Sequence, residues 1–161
     1  MSINPYESPL SAPDPEMPAS VPAFKLYGAG HVAWAVFLGS PLAGGVLLAI
    51  NYWRLRDATA GWLALIASSV ATLALIGIGL WLPDDFPSLI FPLVATFAMW
   101  QAAKYIQGDR VEQHMARGGD IASSWGATGI GIVTGLLLLA AIVGALAVLP
   151  ESWFPELDVA V

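Results

Sequence analysis

Phe37-Leu-Gly-Ser-Pro-Leu-Ala-Gly-Gly-Val-Leu-Leu-Ala-Ile-Asn-Tyr-Trp-Arg-Leu-Arg56 holds the choice on which the fold turns. Its Gly39–Gly45 part has the composition of a flexible ligand loop. Loops that cradle phosphate, however, need an exposed turn before a helix and usually a lysine, as in GxxxxGK[ST]. Here the glycines lead into Val-Leu-Leu-Ala-Ile, and the next basic residue is Arg54. The stretch therefore reads as the interior of an apolar helix built for close packing. Gly39/Ala43 and Ser40/Gly44, four apart, would share a helix face. Pro41 would distort that helix, with neighbouring helices or Ser40 satisfying the freed carbonyl.

The rest of the chain supports an apolar environment. Of its 161 residues, 57% are hydrophobic and 11% charged. The mean hydropathy is +0.71. Soluble domains carry about 25% charged residues, so too little polar surface is present to coat a water-soluble core. The net charge of -6 offers no basic face for nucleic acid. Cysteine is absent, which excludes disulfides, thiol catalysis, iron–sulfur clusters and thiolate zinc sites. No cofactor is expected. The first residues lack the basic start and apolar core of a cleaved signal peptide.

Four apolar segments, at 30–50, 60–82, 88–105 and 125–149, predict an all-α bundle of four transmembrane helices within 27–150. A Pro-rich, disordered tail at 1–26 would precede it, and a short acidic tail at 151–161 would follow. The third segment is the weakest, being interrupted by Pro87, Pro92 and Gln101. Trp53, Trp62, Trp81, Trp100 and Trp125 sit near segment ends, as an interfacial aromatic belt requires.

Charge sets the expected orientation. Arg54 and Arg56 follow segment one, Lys104 lies at the end of segment three, and Arg110 and Arg117 follow it. The positive-inside rule then makes loops 51–59 and 106–124 cytoplasmic and both termini periplasmic. Under that topology His31 and His114 lie on opposite sides and cannot share a metal.

Helices in lipid associate where small residues let backbones approach. The helix-packing candidates are Gly39, Ser40, Ala43, Gly44, Gly131 and Gly135, the last two forming a GxxxG. Ala60, Ala64, Ser68 and Thr72 repeat the same spacing in segment two. No Asp, Glu, Lys or Arg lies inside segments one, two or four, and Lys104 can snorkel from the end of segment three. Embedded acid–base chemistry is therefore not expected. Glu112, His114 and Asp120 form the most polar interior loop, but positions 112 and 114 diverge by about 200° on a helix. A solvated connection is the first reading of that loop and a partner-facing surface the second.

The Asn-Pro-Tyr-Glu-Ser-Pro start, the Gly39–Leu55 hairpin motif and His114-Met-Ala-Arg-Gly-Gly119 before Ser123-Ser-Trp125 together resemble small uncharacterised bacterial multi-pass inner-membrane proteins with an NPYxSP-like segment. The resemblance implies a bacterial inner-membrane location and carries no site residues. The expected function is that of a non-enzymatic accessory, scaffold or assembly component. Its partners would be the lipid bilayer and another membrane protein or further copies of itself. The alternative is an oligomeric transporter or channel for a neutral or apolar solute.

Overall fold

A computed structural model describes residues 21–148 apart from Asp84 and Ser88. The expectations for the two tails fall outside these residues, except at 21–26. The described chain is helical, with α1 at Ala29–Leu38, α2 at Pro41–Arg54, α3 at Ala58–Trp81, α4 at Ile90–Ala116 and α5 at Ser124–Val148.

The stretch around Pro41 departs from the single helix expected of it. Residues 30–50 do not form one helix. The chain leaves helical geometry at Gly39 and Ser40 and restarts with Pro41 as the first residue of α2. Proline lacks an N–H and clashes with the carbonyl four residues back, but it fits the first helical turn well. A break therefore costs less than a kink.

The break reverses the chain, and α1 and α2 form an antiparallel hairpin. Gly44 lies against Val32 and Val36. At the other end Asn51 bonds the backbone of Tyr27. Beyond Arg54 the turn closes with the Asp57 N–H donating to the Tyr52 carbonyl (2.9 Å).

The three long helices surround this hairpin. α3 runs antiparallel to α2, placing Gly61 beside Trp53 and Gly45 beside Ser68. α5 runs parallel to α1, with Trp34 Nε1 donating to Thr128 Oγ1 (3.0 Å) and Gly135 beside Gly39. α4 brings Met99 to Gly44 and Gln107 to α2. All three pack chiefly on the hairpin and hardly on one another.

Helix lengths then create two unlike halves. At ~1.5 Å per residue, α2 is about 21 Å long, α1 about 15 Å, α3 about 36 Å and α5 about 38 Å. The hairpin tip lies level with Thr72 and Gly135. Beyond it, α3 and α5 continue with no hairpin between them, and Leu80, Trp81 and Val148 are 81%, 92% and 85% exposed. α3 and α5 are each long and apolar enough to cross a membrane.

The hairpin also relocates the N-terminal segment. Leu26 pairs in parallel with Ile121, its N–H donating to the Asp120 carbonyl (3.2 Å) while its carbonyl accepts from Ala122 (2.8 Å). Lys25 bridges Asp120 at 3.3 Å. Residues 21–28 thus share one end of the molecule with 54–57 and 117–123, contrary to the four-span reading that put the N-terminal side opposite. His31 and His114 are consequently at the same end. The polar 107–116 segment is the last part of α4 rather than a loop.

Candidate functional site

Most of the small residues face the hairpin. A methyl on Gly131 would sit 3.0 Å from the Ala35 carbonyl oxygen, and one on Gly135 would sit 3.1 Å from Gly39 Cα. Gly39 itself abuts the Gly131 carbonyl, so the helix covering it is α5 of this chain. Ser40 and Gly44 share no continuous helix face, because the break falls between them. Gly39 and Ala43 remain neighbours across it, a methyl on Gly39 falling 3.0 Å from the Ala43 Cβ. The closest approach belongs to Gly45, absent from the expected packing pairs, which lies against Ser68 and the Ala64 carbonyl. Ala64, Ser68 and Thr72 form the α3 side of that contact.

A helix that begins inside a bundle exposes N–H groups with no intrahelical partner. Thr72 deals with one of them. Its Oγ1 accepts from the Leu42 N–H (3.0 Å) and donates its own proton to the Ser68 carbonyl (2.9 Å). The Ser40 Oγ at the tip and the Thr96 Oγ1 on α4 are buried without a hydrogen-bond partner. Thr96 also lines a cavity of about 310 Å³ with Gly30, Ala33, Trp34 and Phe37.

The base of the hairpin is held by two amides that sequence reasoning passed over. Asn51 is 0% and Gln107 3% exposed. The Asn51 Oδ1 accepts from the Tyr27 N–H (2.8 Å), and its Nδ2 donates to both the Tyr27 carbonyl and Gln107 Oε1 (2.8 Å each). Gln107 Nε2 donates to the Leu48 carbonyl (3.0 Å). Every amide hydrogen-bonding group buried here thereby meets a partner, which a low-dielectric interior demands. The signal for Asn51 in the sequence is an uncharged amide embedded in Leu-Ala-Ile-Asn-Tyr-Trp, which an apolar setting obliges to find an internal partner.

Glu112, His114 and Asp120 do not converge. His114 is buried in the last turn of α4, stacked on Phe24 with centroids 4.9 Å apart. Its Nε2 lies 3.3 Å from the Asp120 carbonyl, an acceptor, so that nitrogen carries the proton. The Asp120 carboxylate faces Lys25, and Glu112 is exposed. Gly118, at φ +82°, makes the left-handed turn that ends α4, and the Gly119 N–H returns to the His114 carbonyl (2.9 Å). Gly119 packs against the imidazole, leaving no room for a side chain. Among the described residues no three His, Asp or Glu side chains are placed to hold a metal ion.

Asp57 joins this end to α3. It caps the helix by accepting from the Ala60 N–H (3.1 Å) and meets Arg110 Nη1 at 3.2 Å. The backbone hydrogen bond, followed by that of Arg110, holds its carboxyl below the ordinary 3.8. Arg54 donates to the Lys25 carbonyl and lies over the Tyr27 ring, and Lys104 lies 4.9 Å from the Trp100 ring centroid. All six basic residues sit on this end or on the α4 half leading to it. No family model, curated protein or solved structure matches the chain.

Proposed function

We propose that the chain is a multi-pass membrane protein that acts through association, as a non-enzymatic accessory subunit or scaffold. In this reading α3, α4 and α5 cross the bilayer, while α1–α2 enters and leaves from the basic side as a re-entrant hairpin. The positive-inside rule places that side in the cytoplasm of a bacterial inner membrane, with the C-terminal end of α5 outside. The N-terminal segment, tied to Asp120–Ala122, is then cytoplasmic.

One observation carries the associative role. Beyond the hairpin tip no described helix of this chain packs between α3 and α5, although both are apolar all round. Transmembrane helices gain stability by packing against other helices, and these halves leave that opportunity open to a neighbour. Because the chain has no cysteine, Leu80→Cys and Val143→Cys provide single cross-linking sites. Oxidation or a short bifunctional reagent in native membranes should give a discrete adduct from each. An adduct of twice the chain mass identifies a second copy, and one of another constant mass identifies a distinct subunit. A strictly monomeric chain in mild detergent, with no adduct from either site, would remove the proposal.

A second reading, passage of a neutral solute, draws on the unpartnered Ser40 and Thr96 hydroxyls beside a helix broken between the two halves. Proteoliposomes that remain impermeable to small neutral solutes would exclude it.

A further inference from the structure

The last two turns of α4 line a cavity at the basic end that none of the contacts above explains. Arg110, Gln113, His114 and Arg117 fall at the i, i+3, i+4, i+7 spacing of one helix face. Facing them are Phe24 of the N-terminal segment and Leu55 of the α2–α3 turn, around a space of about 120 Å³. That is room for a tetrahedral oxyanion and little more. We propose that this cavity binds the phosphate group of an anionic phospholipid.

The donors suit that chemistry. Arg117 forms no ion pair among the described residues. Arg110 commits one Nη1 to Asp57 and keeps further N–H groups of its planar fork. Guanidinium groups recognise phosphate through paired, charge-assisted hydrogen bonds. Gln113 adds a neutral amide, and His114 closes the wall, held in place by Phe24 and the Asp120 carbonyl. Among the described residues the Asp57 carboxylate is the one acidic group bonded to a cavity arginine, and it occupies a single edge of Arg110.

Position selects a lipid over a free ion, an argument that rests on the membrane reading above. The cavity lies where α3 begins, level with the aromatic residues Tyr52 and Trp53. α3 and α4 hardly touch, each packing on α2 instead. A headgroup in the cavity would place its acyl chains along the exposed apolar residues of these helices, among them Trp62, Leu63, Ile66 and Ile106. The surrounding end holds Lys25, Arg54, Arg56, Arg110 and Arg117, which favours the anionic class.

The test uses the purified full chain in detergent micelles, titrated with phosphatidylglycerol, phosphatidylcholine or inorganic phosphate and followed by native mass spectrometry and thermal shift. Arg117→Gln removes a cavity donor, and Arg56→Gln removes the same charge from the same end outside the cavity. Loss of one charge-assisted contact should weaken phosphatidylglycerol binding roughly tenfold in Arg117→Gln. Arg56→Gln should change it by no more than about twofold. Phosphatidylcholine should bind the wild type at least about tenfold more weakly than phosphatidylglycerol. Equal effects of the two substitutions would overturn the proposal, as would equal binding of the two lipids. Inorganic phosphate binding as tightly as phosphatidylglycerol would overturn the lipid assignment. A chain recovered from the soluble fraction would instead refute the membrane reading itself.

Discussion

The half of the molecule around the hairpin and the half beyond it are made of similar residues and held in opposite ways. Around the hairpin, Gly39, Gly45, Gly131 and Gly135 meet the backbone of another helix, and Asn51, Gln107 and Thr72 satisfy buried backbone groups. Past the tip, Gly77, Gly79 and Gly144 have no non-local atom within reach of an added methyl. Hydropathy does not distinguish the halves. The proximity of a second backbone does, and glycine carries structural information only where such a backbone is present.

Glycine substitutions should test this contrast most strongly. Gly39→Leu drives a side chain into the Gly131 carbonyl, and Gly45→Leu drives one into Ser68. Each should destabilise by about 3 kcal/mol or more. Gly77→Leu and Gly144→Leu should change the stability of the purified chain by less than about 1 kcal/mol. Thermal unfolding in detergent measures all four, and equal losses would abolish the distinction. If Gly144→Leu keeps its melting temperature while the assembly dissociates, the partner lies on the far half of α5.

Smaller effects should follow from the hairpin base. Asn51→Leu leaves the Tyr27 N–H and carbonyl and the Gln107 Oε1 without their partner. A loss of about 1–3 kcal/mol is expected. Hydrogen exchange should show it as earlier opening of residues 26–29, while the far half of α5 is unaffected. Unchanged protection at Tyr27 would mean that packing alone closes the hairpin.

The smallest effect concerns pH. Asp57 has a folded-state pKa below its ordinary 3.8, so its stabilising contribution is complete above that value and is lost as pH falls through the lower folded one. The melting temperature should therefore drop slightly on acidification below pH ~4. Asp57→Asn should flatten that part of the profile. A variant with the wild-type slope would show that the Asp57–Arg110 contact contributes nothing measurable, as is common for exposed pairs.

Much of this fold was legible in the sequence. The length and uniform apolarity of residues 60–82 and 125–149 announced α3 and α5 to within two residues at each end. Gly118-Gly119 announced a left-handed helix stop, since few other residues tolerate that backbone. Pro41 was visible as well, but its consequence was not. A proline can kink a continuous helix or start a new one, and the local sequence is compatible with both. The decision came from elsewhere in the chain, through Thr72 capping α2, Gly131 admitting α5 at the tip, and Asn51 bonding Tyr27 at the base.

The candidate sites divide along the same line. Small residues spaced by four were readable as packing faces because helix periodicity is local. Their neighbours were not, because contact depends on which way the chain turns after Gly39. The topology inherited that uncertainty: counting 30–50 as one span separated Lys25 from the other basic residues, and the hairpin reunites them. The helical, apolar character of the chain and the extents of α3 and α5 follow from the local sequence, since propensity and hydropathy act over a few residues. Only the tertiary structure decided that Gly39-Ser-Pro41 is a reversal. Two helix orientations of nearly equal local energy are separated by contacts made 30 to 94 residues away.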